Sequence, residues 1–422
     1  MKKIILALAF TLLFGSTFAQ TSYLWLSKSD TTGKAFRGIL DIQGQATAGS
    51  TFLTKELVKP FVVGGNISAD ARNSAIDGMK DLGIFGGNAN VRARYYGGRD
   101  SLFGNEMLDL YIQVGKGYFG SGRISKDAFD LISNGNVNYQ GTRVPLNSIQ
   151  GEAQGFQSIG FGIYDKRTFS SIGISMVNGL TYQQFSMFPP SSFYTSQNAD
   201  TLQLDYAGQY MHSASARPNG NGIGFSIDGE YNFVRDRGED KKEVWNTLGV
   251  RNLGWVNWNG QSEVVNFDST LTWTGVDLNG ILNGDSLWNG TSGFADTLVT
   301  TSQNVSFWRP LRGSFYVRSV YRWNEKLRLT AGLEMYAAPL KPLATVGCMY
   351  LPNKNCIASV NVSNGGYGNW KLGMGVQWLI ANQFYLGVQT SNVPGYFFKN
   401  TREMQASIQV SYLFKTKKKD NE

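Results

Sequence analysis

The stretch Met404-Gln-Ala406-Ser-Ile408-Gln-Val410-Ser-Tyr412-Leu-Phe414, near the end of the chain, decides the fold. Every second residue from Met404 onward is apolar or aromatic, and mostly small polar residues alternate with them. One strand of this length crosses a bilayer of about 30 Å when it is tilted. Its two faces suit two different surroundings, lipid on one side and a polar interior on the other. The run therefore predicts one strand of a transmembrane antiparallel β-barrel.

The same alternation recurs further up the chain, which favours an all-β protein built from many such strands. The clearest further runs are Gly222–Phe233, Gly313–Trp323, Leu327–Tyr336, Trp370–Trp378 and Phe384–Thr390. Weaker runs lie near 36–46, 57–68, 88–97, 106–115, 155–164 and 170–182, and the full tally reaches fifteen. Because bacterial barrels have an even number of strands, we predict about 14 strands, with one early segment miscounted or placed inside as a plug.

Two segments in the N-terminal third have a helical pattern. They are Ala71–Leu82 and Ser125–Ser133, and Ser125 has the residue type that caps a helix N-terminus. The sequence thus predicts short helices beside the early strands of the barrel.

The lengths of the connections support the same topology. Suppose that Phe414 lies at the periplasmic side and that the strands alternate in direction. The short turns 165–167, 324–326, 352–355 and 381–382 then all lie on the periplasmic side, as does the charged linker 235–243. The long stretches 185–220 and 260–312, together with 392–403, then lie on the cell-surface side. Short periplasmic turns and long surface loops are typical of outer-membrane barrels.

The N-terminus has the features of an export signal. Lys2 and Lys3 precede an apolar run that ends at Phe14, and small residues at Thr17 and Ala19 suit signal peptidase. We therefore predict cleavage after Ala19. The predicted organisation is a signal peptide (1–19), an outer-membrane β-barrel (20–414) and a basic periplasmic tail (415–422). No later segment has 18 consecutive apolar residues, so no transmembrane helix is expected.

Charge and cysteine content limit the function classes. The net charge of +8 falls to +6 once two signal lysines are removed, and four of the remaining positive charges lie in the tail. No element combines clustered basic and aromatic residues, which argues against nucleic-acid binding. Cys348 and Cys356 flank Pro352; a hairpin centred there would place them opposite each other for a disulfide, and two unpaired thiols are the alternative. A single histidine makes a metal site improbable, and we expect no cofactor.

Several short motifs resemble those of uncharacterised outer-membrane barrels of Bacteroidota, which are close to FadL-like transporters and to the PorV and PorP/SprF proteins of the type IX secretion system. They are Phe18-Ala-Gln20, Ala69-Asp70-Ala71-Arg72-Asn73, Asn134-Gly-Asn136-Val-Asn-Tyr-Gln-Gly141 and Thr390-Ser-Asn392-Val-Pro394-Gly395. The resemblance implies a porin-like barrel located in the outer membrane. The Asn-Pro-Ala segment that many FadL-like proteins carry near the N-terminus is absent, which sets the chain apart from a fatty-acid-type path.

The polar faces of the predicted strands supply the candidate lumen residues. They are Asp228, Glu230, Arg318, Arg322, Arg328 and Glu334. If residues 324–326 close a tight hairpin, Arg322 and Arg328 lie about opposite each other, which is unfavourable unless an acid or an anionic ligand lies between them. The two interpretations are a structural salt-bridge network that fills the barrel and a polar path or anion site near the periplasmic mouth.

These observations leave two main hypotheses for function. The first is passage of a small or amphiphilic solute across the outer membrane, gated by loops and an N-terminal plug. The second is a non-conducting barrel whose aromatic-rich loops bind secretion-system or cell-surface proteins. A hydrolase that uses His212 with Ser213 or Ser215 is disfavoured, because adjacent residues rarely pair as nucleophile and base, so we expect no enzyme activity. Outer-membrane lipid is the expected surrounding in either case.

Overall fold

The structure is a computed structural model of the chain, and it describes most residues from 36 to 415. The described ranges are 36–64, 66–99, 101–214, 220–237, 242–274, 301–336, 340–353, 355–380 and 383–415. Within them, every helix is too short or too polar to cross a membrane. The predicted signal peptide and all but Lys415 of the predicted tail lie outside these residues.

Within the described ranges, twenty strands form one antiparallel sheet that closes on itself. The strands in chain order are β1 (Phe36–Ser50), β2 (Leu82–Tyr96), β3 (Leu108–Ser125), β4 (Arg143–Pro145), β5 (Gln150–Asp165), β6 (Ser171–Met187), β7 (Ser192–Thr195), β8 (Thr201–His212), β9 (Gly222–Arg237), β10 (Lys242–Trp258), β11 (Glu263–Thr274), β12 (Thr301–Asn304), β13 (Phe307–Pro310), β14 (Ser314–Arg322), β15 (Leu327–Tyr336), β16 (Lys341–Asn353), β17 (Cys356–Gly366), β18 (Gly368–Ile380), β19 (Phe384–Thr390) and β20 (Glu403–Lys415).

Fourteen of these strands form the closed wall. Its order is β1, β2, β3, β5, β6, β9, β10, β14, β15, β16, β17, β18, β19 and β20, and β20 pairs with β1 to complete the circle. The prediction of an antiparallel barrel with about fourteen strands is confirmed. The other six strands pair above the wall, as extensions of β6 and β10.

The alternation of side chains along β20 shows why this sequence forms a barrel wall. Gln409 and Ser411 point inward and are each 1 % exposed, whereas Ile408 and Tyr412 point outward and are 37 % and 40 % exposed. The same outward exposure of large apolar residues occurs around the wall, at Ile112, Phe161, Ile172, Val346, Val360, Trp370 and Val388. An apolar exterior around a polar interior reverses the arrangement of a soluble β-protein and matches transmembrane barrels.

The closing seam joins the two ends of the described chain. Asp41 of β1 faces the interior, where its Oδ1 accepts hydrogen bonds from Gln409 Nε2 at 3.0 Å and Ser411 Oγ at 2.9 Å. Gln43 also donates to Asp41 at 2.6 Å. A slip of one residue would turn Asp41 toward the apolar exterior, so this buried carboxylate helps to fix the register of the seam.

Short turns collect at one end of the barrel, called the turn end, and longer connections collect at the other, called the loop end. The turn end carries the connections of β5 to β6, β14 to β15 and β16 to β17, as the loop-length pattern predicts. The loop end carries 188–221, 259–313 and 391–402, of which 275–300 lies outside the described residues. One loop-end connection is very short, since only Tyr367 separates β17 from β18.

Four α-helices also lie at the loop end in the described residues. They are α1 (Lys55–Val63), α2 (Ala69–Asp77), α3 (Lys126–Asn134) and α4 (Pro394–Phe397). The predicted second helix is confirmed as α3, and Ser125 caps it by accepting from the Ala128 amide at 3.4 Å. The predicted first helix is shorter than expected, because α2 ends at Asp77 and β2 already begins at Leu82.

The early segment 57–68 is the miscounted strand. It forms α1, which begins after Thr54, and the Thr54 hydroxyl accepts a hydrogen bond from the Leu57 amide at 3.4 Å. Its run of apolar and β-branched residues indicated a strand, but the N-cap and the burial of Leu57 beside Phe52 and Met79 stabilise a helix instead. The predicted tally of fifteen therefore becomes fourteen wall strands.

Candidate functional site

All six sequence-predicted lumen residues lie on the inward face of the wall. Asp228, Arg318 and Glu334 are buried, with 6 to 7 % of their surface exposed, and the other three are intermediate. The structure divides the six into two groups, because four of them belong to a charged layer near the middle of the barrel and two lie at the turn end.

The first part of the charged layer is built around Tyr316 of β14. Its ring lies between two guanidinium groups, with Arg251 Cζ at 4.3 Å and Arg318 Cζ at 4.5 Å from the ring centroid. Its hydroxyl donates to Glu230 Oε2 at 2.7 Å. Nearby, Ser314 donates to Glu334 Oε1 at 2.9 Å. The aromatic face attracts both cations, and the acids balance their charge inside the low-dielectric wall.

The second part of the charged layer is built around Gln113 of β3. Its Oε1 accepts from Arg94 Nη2 at 2.7 Å, and its Nε2 donates to Asp228 Oδ2 at 2.9 Å and to Ser175 at 2.9 Å. The backbone amide of Asn252 also donates to Asp228 Oδ1, at 3.1 Å. Gln113 therefore links the buried cation Arg94 of β2 to the buried anion Asp228 of β9, two strands that are not consecutive in the chain.

Sequence reasoning missed several members of this layer, namely Arg92, Arg94, Gln113, Arg251 and Tyr316. A signal for the first two is present in 88–95, where Asn88, Asn90, Arg92 and Arg94 alternate with smaller or apolar residues. Arg251 lies at a β-bulge, where the pairing of β9 and β10 shifts between Val250 and Leu253. A bulge changes which residues point inward, so the period of two does not identify Arg251.

Arg322 and Arg328 form a separate pair at the turn end. The register of β14 and β15 places them directly opposite each other, as the hairpin pattern predicts. Glu243, which precedes the inward-facing Trp245 on the neighbouring strand β10, supplies a negative charge in this region. The structure does not bring this pair into the charged layer of Tyr316 and Gln113.

A cavity of about 130 Å³ lies within the charged layer. Its lining includes residues of eight strands of the wall, among them Gln43, Asn88, Arg92, Asp228, Arg251 and Glu334. In contrast to an apolar ligand pocket, this cavity carries charges of both signs. On the order of ten water molecules, or one small solute, would fill a volume of this size.

Buried apolar clusters lie on both sides of the charged layer. Toward the turn end, one buried cluster contains Tyr96, Tyr111, Tyr164 and Tyr385, and a second contains Trp245 and Met349. Toward the loop end, a third cluster surrounds the fully buried Trp258 and includes Val177, Val256 and Leu311. The named side chains of these clusters are at least nine-tenths buried.

Tyr367 forms an inward latch at the loop end. It is 3 % exposed, and Gly49 and Gly86 of β1 and β2 leave the space that its side chain occupies, since a Cβ at either glycine would lie less than 3.0 Å from it. Its hydroxyl is 3.4 Å from the Gly120 carbonyl oxygen. The one-residue connection between β17 and β18 thus reaches across β19 and β20 to contact the first three strands.

The predicted disulfide between Cys348 and Cys356 is wrong for this register, and both cysteines are free. The strands β16 and β17 pair so that Cys356 is opposite Asn353 and Cys348 is opposite Val360. The two cysteines are therefore four positions apart along the ladder, or about 13 Å at the usual rise per residue. That separation is well beyond the Cα spacing of a disulfide.

His212 lies at the end of β8 and contacts Glu263 of β11. Its Nε2 is 2.9 Å from Glu263 Oε2, and its Nδ1 is 3.0 Å from the Ser213 carbonyl oxygen. The Ser213 hydroxyl instead accepts from the Tyr182 amide at 3.0 Å, and Ser215 lies outside the described residues. The ring therefore does not face the Ser213 hydroxyl as a catalytic base would. Where the chain is described, no group of three or more His, Cys, Asp or Glu side chains could hold a metal ion.

Comparison with known proteins reveals similarity to solved barrel structures. No protein-family model and no curated protein matches the chain. A TodX deltaS2S3 mutant monoaromatic hydrocarbon channel is 8 % identical, with 96 % of each chain covered and a TM-score of 0.42. A Pseudomonas aeruginosa FadL homologue is 8 % identical over 90 % of each chain, with a TM-score of 0.37. The translocator domain of the autotransporter NalP from Neisseria meningitidis is 10 % identical over 94 % of this chain and 95 % of that one, with a TM-score of 0.34.

Proposed function

We propose that the protein is exported, loses residues 1–19 by cleavage and forms a barrel in the outer membrane. This barrel passes a small solute through its lumen. The observation that carries the proposal is the charged cavity of about 130 Å³, which has buried apolar clusters toward both ends of the barrel and lies inside a wall whose exterior is apolar. A structural filling of the barrel needs no internal cavity, whereas a solute path needs a place where the solute can pause.

The apolar exterior supports the membrane location in this proposal. A closed, even-stranded barrel has no unpaired edge, and large side chains such as Phe161 and Trp370, 64 % and 76 % exposed, would be costly in water. Together with the signal-like N-terminus and the motifs shared with barrels of Bacteroidota, these features favour an outer membrane of that bacterial group.

The buried side chains toward both ends of the barrel imply that passage of the solute is gated. Passage would require movement of the Tyr367 latch at the loop end and of the tyrosine-rich layer at the turn end. The Arg322–Arg328 pair lies at the turn end. A solute that enters at the loop end would therefore meet this pair after it has passed the charged layer. Because like charges face each other there, an anion between them would be stabilised.

Planar-bilayer recording of the purified protein tests this function. We expect gated, low-conductance openings, and we expect Arg322→Gln combined with Arg328→Gln to lower the preference for anions. The matched control is Arg167→Gln, which removes an exposed arginine from a turn at the same end. A barrel that inserts correctly, shown by heat-modifiability on a semi-native gel, and never conducts would contradict the proposal.

The second candidate is a closed barrel that binds secretion-system or cell-surface proteins. The filled layers on both sides of the cavity favour it, as does the loop-end assembly of β7, β8 and β11–β13, which carries the exposed Trp273 and Trp308. A non-conducting barrel that co-purifies in a fixed ratio with one surface protein, and loses it when both tryptophans are replaced by alanine, would support this alternative.

A further inference from the structure

Four cations and two acids line the cavity, but two of the cations have partners outside the lining or on the outer face. Arg312 pairs with Glu152, and Lys116 lies over the ring of the outward-facing Tyr118.

The four charges that remain are balanced and come from separate strands. Arg92 of β2 and Arg251 of β10 supply two positive charges, whereas Asp228 of β9 and Glu334 of β15 supply two negative ones. A cavity built for a simple anion would carry an excess of cations, and one built for a cation would carry an excess of acids. Neither excess is present among these four residues.

Several of these groups keep hydrogen-bonding capacity toward the cavity. Among the described residues, Arg92 donates one hydrogen bond, from Nη2 to Gln43 Oε1 at 3.0 Å, although a guanidinium has five N–H donors. Asp228 accepts one hydrogen bond at each oxygen, from Gln113 and from the Asn252 amide, and a carboxylate can accept about four. Donors and acceptors for a solute are therefore both available.

Asn88 gives an independent indication of a ligand. It lies on the inward face of β2 and lines the cavity, and its Oδ1 atom is buried with no hydrogen-bond partner in the described part of the chain. A buried acceptor without a donor is unfavourable unless a solute or water supplies one. Asn88 is four residues from Arg92 along β2, and a solute that supplies its missing donor must carry an N–H or O–H group.

We propose that the cavity binds a small zwitterion that carries one ammonium and one carboxylate group, of the kind found in an amino acid. The carboxylate pairs with Arg92, and the ammonium pairs with Asp228. A solute with a single charge would bury that charge without compensation, whereas a zwitterion adds no net charge to a balanced layer. This inference rests on the proposed passage function and specifies its solute class.

Binding to the purified, detergent-solubilised full chain tests the inference. The probes are glycine and its two halves, acetate and methylammonium, at equal ionic strength and pH 7, measured by calorimetry and by the shift in thermal unfolding. We expect saturable binding of glycine and binding of either half that is about tenfold weaker or more, because each half leaves one charge unpaired.

Variants locate the site. Arg92→Gln and Asp228→Asn are each expected to weaken glycine binding by about tenfold or more, and Arg167→Gln is the control that leaves it unchanged. Because Asp228 also holds the charged layer together, Asn88→Leu provides a second route. It fills the cavity from a position outside the Gln113 network, and we expect it to abolish glycine binding in a barrel that still shifts on boiling.

The outcomes separate this inference from the passage function. Failure of the folded wild-type protein to bind glycine, or equal binding of acetate and glycine, would overturn the zwitterion site. Glycine binding by a barrel that never conducts would support the site and contradict passage. Conductance without glycine binding would support passage and contradict the site.

Discussion

The hydroxyl of Tyr316 donates to the carboxylate of Glu230 at 2.7 Å while the ring separates Arg251 from Arg318. One neutral side chain thus keeps two cations apart and satisfies an acid inside the barrel. The arrangement depends on three strands, since Glu230 lies on β9, Arg251 on β10 and Tyr316 on β14.

The first prediction concerns that hydroxyl. Tyr316→Phe keeps the ring between the arginines and removes the donor to Glu230, so we expect the free energy of unfolding to fall by about 1–3 kcal/mol. The measurement is guanidinium unfolding in lipid vesicles followed by tryptophan fluorescence. Tyr231→Phe is the control, because Tyr231 is 60 % exposed on the outer face. Equal stability of the two variants would show that the hydrogen bond does not contribute.

A second prediction concerns the outer face. Val388→Arg places a charge on an outward position of β19 that is 54 % exposed, and we expect it to cost about 2–4 kcal/mol in a bilayer. Val305→Arg at the loop end is the matched control and should cost little. Both variants are measured by the same vesicle unfolding experiment. If Val388→Arg is as stable as the control, the outward face does not contact lipid.

The latch yields a third prediction. Tyr367→Ala should speed the reaction of a small water-soluble thiol reagent with a cysteine introduced as Asn88→Cys, in a background that carries Cys348→Ser and Cys356→Ser. Tyr367→Phe should react at the original rate, because the 3.4 Å contact with Gly120 is a weak hydrogen bond. Tyr350→Ala, an outward-facing change, controls for general loosening. Unchanged rates in folded Tyr367→Ala would exclude the latch as a barrier.

The cysteines provide a fourth prediction. Since Cys348 and Cys356 pair with different partners across the hairpin, the folded protein should contain two free thiols. Alkylation after denaturation without reductant, followed by mass spectrometry, should add two groups. A product with no added group and a mass two hydrogens lower would require a different register of β16 and β17.

Acid should loosen the loop-end strands. The hydrogen bond from Ser302 to Glu263, reinforced by His212, lowers the pKa of Glu263 in the folded protein. A lowered pKa contributes stability that is present above the ordinary glutamate value, about 4.3, and is lost as the pH falls through the folded pKa. Surface proteolysis near 263–304 should therefore increase below about pH 4.3. The protease should cut the Glu263→Gln variant at the same rate above and below this pH. If the rate of cleavage of the variant still depends on pH, a group other than Glu263 is responsible.

Local patterning predicted the wall well because a period of two is a property of each strand alone. β20 is the clearest case, since its inward Gln405, Ser407, Gln409 and Ser411 are all at most 5 % exposed. The segment 57–68 shows the limit of this reasoning, because an N-cap and tertiary packing outweighed a strand-like composition there.

The candidate site was only partly predictable. Asp228 was identified from its own strand, but its partner Gln113 is 115 residues away in the chain. Which inward side chains meet depends on how far neighbouring strands are displaced along each other around all fourteen strands, and no single strand carries that information. The cysteine pairing failed for a related reason, since the position of the turn changed every cross-strand neighbour.

The seam that Asp41 holds together also sets the order in which the protein can be completed. β1 begins at Phe36 and its partner β20 ends at Lys415, so the last joint of the wall forms between segments from opposite ends of the chain. Until β20 arrives, β1 and β19 both present unpaired backbone groups, which associate readily with other strands. The wall therefore cannot close progressively from β1 onward, and the polypeptide must stay shielded from aggregation until β20 is available.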